Sequence, residues 1–266
     1  MLGGILHEAG YFMGENLYPS RESNPKGFFE NPEVNGINEE ILKAYDGLAT
    51  PYVKGSLRRT LSGLLGLNHR ANPKQFQRWL AAIPPEITVT CDDPSVHERI
   101  RHAVERKPFA YKDPRFSFTL PVWRPYLDRE TVLLCIFREP DVTVQSILKE
   151  CSVMAYLRNV RIDAEIAYEV YVTNYAHALR RAEETGNRVL FLHYEQVFDG
   201  SVLPLLSERL GVELRRDFVE ESLKRTKPSG NIPEHVRAIY RRLCEAAGYE
   251  HASAKKRPTA AKPQPS

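Results

Sequence analysis

The chain has 266 residues, of which 42% are hydrophobic and 27% are charged. This ordinary globular composition excludes a collagen-like repeat, a disulfide-dense mini-protein and wholesale disorder. No stretch approaches the roughly 18 consecutive apolar residues of a membrane-spanning helix, and no secretory signal pattern is present. We therefore expect a cytoplasmic protein without a membrane span.

The basic character of the chain is concentrated at its end. The formal net charge is +3, but residues 251–266 contain four basic residues and no acidic one, so the other 250 residues carry a net charge of −1. A nearly neutral body gives no case for nucleic-acid binding, and any anion site has to be local. We expect one domain over residues 1–250 and a disordered tail, rich in Pro, Ala and Lys, over residues 251–266.

The four cysteines, Cys91, Cys135, Cys151 and Cys244, include no closely spaced pair. The spacing typical of metal ligands is therefore absent, and we predict reduced thiols and no metal cofactor.

The first half of the chain predicts several helices and a loop with charged and aromatic residues. Residues 1–10 have an apolar helical face, and residues 18–35 form a loop in which Pro25 and Pro32 interrupt any helix. A helix is predicted over residues 33–45. Asp93 followed by Pro94 is a typical helix start, so we expect a helix to about residue 105 and then a short strand over residues 109–112.

The second half alternates strands with helices. Residues 131–137 form a near-continuous apolar run, which predicts a strand buried on both faces. Helices are expected over residues 141–150 and 163–184, a second buried strand over 189–194, and further helices over 201–210 and 233–247. This alternation predicts an α/β fold with a parallel sheet.

Ligands of such sheets bind beyond the carboxyl ends of the strands, which draws attention to Arg138. Arg138 directly follows the first buried strand, and Ser146 lies eight residues further along, in the next helix. A guanidinium group and a nearby hydroxyl can bind one phosphate together. The alternative is that Arg138 forms an ion pair with Glu139 or Asp141 and Ser146 is an ordinary surface residue.

Two other strand ends offer a cation and an aromatic ring. Lys112 closes the short strand, and Tyr194 closes the second buried strand after His193. Cations beside an aromatic face suit a nucleotide with several phosphates. The alternatives are a structural ion pair of Lys112 with Asp113 and a packed, non-functional His193.

These segments resemble a known family. Cys-Ile-Phe-Arg-Glu-Pro-Asp-Val-Thr-Val-Gln-Ser-Ile, from Cys135, is similar to the 3′-phosphate-binding segment of sulfotransferases that use 3′-phosphoadenosine 5′-phosphosulfate (PAPS). Val-Leu-Phe-Leu-His-Tyr-Glu, from Val189, resembles a later strand of that family. The resemblance implies that Arg138 and Ser146 bind the 3′-phosphate and that Tyr194 contacts the adenine.

Three further segments resemble a bacterial, carbohydrate-sulfotransferase-like branch of this family: the opening residues 2–10, the Asn-Pro-Lys-Gly-Phe-Phe-Glu-Asn segment over 24–31, and Tyr-Lys-Asp-Pro-Arg over 111–115. The implied fold is a P-loop-NTPase-like three-layer α/β/α arrangement with a central parallel sheet. The implied function is transfer of a sulfuryl group from PAPS to a hydroxyl or amine of a carbohydrate or small molecule.

One part of the family pattern has no counterpart in the sequence. Family members begin with a strand and a glycine-rich phosphate loop before the first helix, whereas residues 1–4 match positions after that loop. We expect either that the natural start lies upstream of Met1 or that the product is truncated and inactive. Reading the DNA upstream of Met1 in frame distinguishes the two explanations.

The resemblance also implies catalytic residues. Related carbohydrate sulfotransferases use a glutamate soon after the first helix as the base, which makes Glu30 and Glu22 the candidates here. Lys112 and Lys26 are candidate cations for the leaving phosphate, and Arg225 loosely matches a late basic segment that closes over the 3′-phosphate. The alternative is that both glutamates are solvated loop acids or helix caps.

Two rival functions remain at this point. A P-loop kinase relative, transferring phosphate, requires a Gly-x-x-x-x-Gly-Lys-Ser/Thr loop that this sequence lacks, although Asp113 could act as its metal-binding aspartate. An inactive nucleotide-binding remnant is the other rival. The acceptor depends on residues 18–35 and 50–90, whose shapes the sequence does not predict.

Overall fold

The computed structural model describes residues 1–21, 24–46, 73–158, 160, 162–186, 188–220 and 231–250. The predicted tail over residues 251–266 lies outside the described residues, as do the candidate site residues Glu22 and Arg225.

The described residues form a mixed α/β structure. Two β-strands are assigned, β1 (Leu133–Phe137) and β2 (Val189–His193). The α-helices are α1 (Leu2–Glu8), α2 (Pro32–Lys43), α3 (Pro94–Ala103), α4 (Phe116–Trp123), α5 (Pro140–Val153), α6 (Ala164–Glu184), α7 (Tyr194–Phe198), α8 (Leu203–Leu210) and α9 (Glu234–Ala246). Short 3₁₀ helices occur at Arg78–Leu80, Arg124–Tyr126 and Ala155–Leu157.

The two strands pair in parallel, with Leu133 opposite Val189 and Phe137 opposite His193. Because successive side chains of a strand point to opposite faces, the apolar residues divide between two layers. Phe137 and Phe191 pack with α6 and α9 on one face. Leu192 packs with α1 and α8 on the other face. The predicted α/β class with a parallel sheet is confirmed.

The expectation that the first apolar run is buried on both faces was wrong for most of β1. Ile136 is 40% exposed, and Leu133, Leu134 and Cys135 are only partly buried. Among the described residues, β1 has a strand partner on the β2 side only, and β1 residues line a cleft. An apolar run indicates that a strand tends to be buried. How far it is buried depends on packing partners that are distant in the sequence.

The predicted strand over residues 109–112 is reduced to one bridging position. Phe109 pairs in parallel with Phe12. The bonds run from the Phe12 N–H to the Pro108 carbonyl at 2.8 Å and from the Ala110 N–H to the Phe12 carbonyl at 2.9 Å. Residues 110–112 have no regular secondary structure. The position of the backbone here therefore depends on side-chain contacts.

Helices α2, α3 and α6 each begin at a side-chain cap, and the cap at Asp93 was predicted. The Asn31 side chain accepts hydrogen bonds from the Glu33 and Val34 N–H groups at the start of α2. Asp93 and Asp163 accept bonds in the same way at α3 and α6. These bonds satisfy N–H groups that a helix leaves unpaired at its first turn.

Two helices escaped prediction. α4 contains Pro121 within an almost wholly apolar segment, which hides helical periodicity. α7 begins at Tyr194, so Tyr194 opens a helix and is not the last residue of a strand. The chain therefore turns one residue earlier than the apolar run over 189–194 suggested.

Candidate functional site

The carboxyl end of β1 borders a cleft of about 2250 Å³. Its walls come from the loop over residues 24–30, the segment 107–117, β1 with the start of α5, and the start of α7. All the candidate site residues that the structure describes line this one cleft: Lys26, Glu30, Lys112, Arg138, Ser146 and Tyr194.

Arg138, Thr143 and Ser146 form a group at the cleft that we call the arginine corner. The Arg138 Nη2 donates to Ser146 Oγ at 2.8 Å, and its Nε reaches Thr143 Oγ1 at 3.4 Å. Thr143 and Ser146 lie in the first two turns of α5, so both hydroxyls face the guanidinium group. The predicted proximity of Arg138 and Ser146 is present in the structure.

Helix α6 fixes the backbone that leads into the arginine corner. Tyr171 donates from its hydroxyl to the Arg138 carbonyl at 3.1 Å, and Tyr175 donates to the Ile136 carbonyl at 3.1 Å. Burial raises the pKa of the Tyr171 hydroxyl well above its ordinary value, which keeps it a hydrogen-bond donor. Sequence reasoning did not include these tyrosines among the site residues, because helical spacing does not show which carbonyl a hydroxyl meets.

Glu30 and Lys112 meet at another part of the cleft wall. Lys112 Nζ lies 2.7 Å from Glu30 Oε1 and also donates to the Phe28 carbonyl at 3.1 Å. Asn35 Nδ2 donates to the second carboxylate oxygen of Glu30 at 3.2 Å. The Glu30 side chain is only 17% exposed, whereas that of Lys112 is 50% exposed. Two of the predicted catalytic residues are therefore in direct contact.

Lys112 does not pair with Asp113, the alternative that the sequence left open. Asp113 is buried and pairs with Arg115, with 2.9 Å between Oδ1 and Nη1. Its other oxygen accepts a bond from Asn38 Nδ2 at 3.0 Å. Burial raises the pKa of the Asp113 carboxyl, and the Arg115 charge opposes that rise.

Arg115 also binds α2. Its Nε lies 2.7 Å from Glu39 Oε1, and both side chains are 4% exposed. Glu39 in turn pairs with Arg78, which pairs with Asp46. We call the residues Asn38, Glu39, Asp46, Arg78, Asp113 and Arg115 the buried charge network. Sequence reasoning missed its role, since the partners come from three distant segments.

Lys26 faces the same cleft with different partners. Its Nζ lies 2.8 Å from Glu220 Oε1 and 4.5 Å from the centre of the Phe218 ring. Lys26 therefore does not share the Glu30 carboxylate that binds Lys112.

Tyr194 lines the cleft at the end of β2, with its ring stacked near that of Phe198 at 6.0 Å between centres. The preceding residue, His193, is fully buried and stacks on Tyr249 at 3.7 Å between ring centres. His193 Nδ1 accepts the Glu195 N–H, so Nε2 carries the proton of a neutral ring and donates to the Tyr240 hydroxyl at 3.0 Å. The interpretation of His193 as a packed residue is confirmed.

The described residues contain no group of three His, Cys, Asp or Glu side chains that could hold a metal ion, and all four cysteines are unpaired. Within the same residues, no helix has the length and apolar character needed to cross a bilayer.

Comparison with known proteins leaves the family unassigned. No protein-family model matches the chain. No curated protein and no solved structure is significantly similar to it.

Proposed function

We propose that the chain is a PAPS-dependent sulfotransferase with a P-loop-NTPase-like three-layer α/β/α fold. The observation that carries the proposal is the arginine corner, where Arg138 and Ser146 lie 2.8 Å apart beside the carboxyl end of a parallel strand. Ligands bind at this edge in α/β sheets, and a guanidinium fork with hydroxyls beside it is suited to a phosphate. In this proposal Arg138 and Ser146 bind the 3′-phosphate, and Tyr194 contacts the adenine.

The contact between Glu30 and Lys112, in the same cleft, supports group transfer there. The acceptor oxygen forms a bond to sulfur while the bond from sulfur to the bridging phosphate oxygen breaks, and the electron pair stays on the 5′-phosphate. Glu30 takes the acceptor proton as general base. Lys112, 2.7 Å from Glu30, places a positive charge where negative charge develops on the leaving phosphate.

The acceptor in this proposal is a hydroxyl or amine of a carbohydrate or small molecule. Aromatic side chains line the cleft beyond Glu30, among them Phe28, Trp79 and Tyr156. Flat aromatic faces next to carboxylates suit a ligand that has both apolar and polar groups.

A phosphotransferase of the P-loop kinase type has less support. That chemistry uses an aspartate at a strand end to hold a metal ion. Asp113, the aspartate that suggested it, has its carboxylate bound to Arg115 and Asn38, and its side chain is 0% exposed. It therefore does not face the cleft with free oxygen atoms.

Transfer of labelled sulfuryl groups from PAPS to a panel of sugars and phenols tests the proposal. Glu30→Gln is expected to lower the rate at least 100-fold, because general-base catalysis contributes about 10²–10⁴-fold. Glu33→Gln is the matched control: Glu33 is three residues away and 61% exposed, where it pairs with Arg99. Its rate is expected to change less than twofold.

Two results count against this assignment. Equal rates for Glu30→Gln and the unaltered chain would remove Glu30 as the base. Binding of adenosine 3′,5′-bisphosphate without transfer to any acceptor would favour the inactive nucleotide-binding remnant.

A further inference from the structure

Lys112 and Glu30 both lie in chain segments without regular secondary structure. Two such segments hold a separation of 2.7 Å only if other contacts fix them relative to each other. Glu30 immediately precedes Asn31, the capping residue of α2, and Asn35 in the first turns of α2 binds its carboxylate. The position of Glu30 therefore follows the position of α2.

The next turn of α2 is bound to the segment that carries Lys112. Asn38 donates to Asp113 at 3.0 Å, and Glu39 accepts from Arg115 at 2.7 Å. Arg115 also closes back on Asp113, through its backbone N–H at 2.8 Å and its Nη1 at 2.9 Å. Asp113 directly follows Lys112, so these bonds fix the backbone on which Lys112 stands.

These contacts bring charges into the interior at an energetic cost. Buried ion pairs commonly give no more stability than apolar residues of the same shape, while their directional bonds restrict geometry. A simple apolar contact between α2 and residues 113–115 would allow the two segments to slide. Arg115 bridges the two segments instead, with Nε on Glu39 and Nη1 on Asp113, and these directional bonds restrict their relative position.

We propose that Arg115, together with Asp113 and Glu39, is a positioning residue that sets the contact between Lys112 and Glu30. The inference rests on the proposed function, because the contact between Lys112 and Glu30 serves catalysis only in that function. Positioning matters for rate because small displacements of a catalytic group greatly reduce its effect.

Acylation of Lys112 by an amine-selective reagent, followed by mass spectrometry, reports this contact without any substrate. The Lys112 ammonium donates to Glu30 and to the Phe28 carbonyl, and both bonds have to break before the amine reacts. Arg115→Lys and Asp113→Asn are expected to increase the labelling rate of Lys112 at least threefold relative to exposed Lys43 in the same molecules.

Asp46→Asn is the matched control. Asp46 belongs to the buried charge network and pairs with Arg78 at 2.7 Å, but it touches neither Lys112 nor residues 113–115. Its melting temperature shows how much stability is lost when one bond of the buried charge network is removed. The labelling rate of Lys112 is expected to stay within 1.5-fold of that in the unaltered chain.

Several results would overturn the inference. These are unchanged Lys112 labelling in folded Arg115→Lys or Asp113→Asn protein, an equal increase in Asp46→Asn, and failure of both variants to fold while Asp46→Asn folds. Failure of the proposed function is seen separately, as absence of adenosine 3′,5′-bisphosphate binding by the unaltered chain. That result does not alter the labelling experiment.

Discussion

Two parts of the cleft wall, the segment 113–115 and the arginine corner, hold their arginines in different ways. Arg115 is 3% exposed and satisfied by two carboxylates, whereas Arg138 is partly buried and bonded to the hydroxyls of Thr143 and Ser146. An arginine whose charge is neutralised within the protein has little left to offer an anion. An arginine whose side-chain partners among the described residues are hydroxyls keeps its positive charge available.

This difference separates a structural arginine from one that we propose binds a ligand, although both line the same cleft. Removing a partner from a buried ion pair leaves an uncompensated charge in the interior. Removing an arginine held by neutral hydroxyls leaves groups that water or a helix carbonyl can satisfy. The first change is expected to act on folding and the second on binding.

Arg115→Ala is expected to produce the largest effect. Glu39 and Asp113 would lose a shared cation while remaining buried, so the free energy of unfolding should fall by about 3–5 kcal/mol. Urea unfolding followed by tryptophan fluorescence measures it. Arg99→Ala is the control, because Arg99 pairs with Glu33 and Glu40 at the surface, where such pairs contribute at most about 1 kcal/mol. Similar losses in the two variants would remove the contrast between the two parts of the cleft wall.

Ser146→Ala is expected to produce the smallest effect on stability. Ser146 Oγ donates to the Val142 carbonyl within α5, and alanine is a better helix former than serine. The free energy of unfolding should change by less than about 1 kcal/mol, because the bond to Val142 is an ordinary one and the partly exposed Arg138 guanidinium can donate to water in place of Ser146. A loss as large as that of Arg115→Ala would show that the arginine corner is also a structural element.

Much of the fold could be predicted because its signals are local. The start of α3 was predicted from its cap, in which Asp93 and Ser95 are only two positions apart. The burial of β1 could not be predicted in the same way, since exposure of Ile136 depends on which strands are present beside it. α4 was missed because an apolar segment containing Pro121 has no clear helical face.

The part of the site that could be predicted lies at the end of a single strand. Arg138 and Ser146 belong to one strand–helix unit, so their spacing of eight residues determines their contact. The contact between Glu30 and Lys112 spans 82 positions, and no local pattern indicates it. Arg115 was passed over because a sequence does not show whether an arginine is already neutralised.

The central claim is that the arginine corner binds a 3′-phosphate, and calorimetric titration tests it most directly. Adenosine 3′,5′-bisphosphate and adenosine 5′-phosphate are titrated into the unaltered chain, Arg138→Ala and Arg209→Ala, the last a control at another arginine that lines the cleft. A hydrogen bond to a charged group contributes about 1.5–3 kcal/mol, or roughly 10–150-fold in affinity.

Arg138→Ala is expected to lower the affinity for adenosine 3′,5′-bisphosphate by at least about 10-fold, in line with the loss of such a bond. Its affinity for adenosine 5′-phosphate is expected to stay unchanged. Arg209→Ala should bind both nucleotides as the unaltered chain does. Equal affinities of Arg138→Ala and the unaltered chain for the bisphosphate, or no binding by the unaltered chain, would contradict the claim.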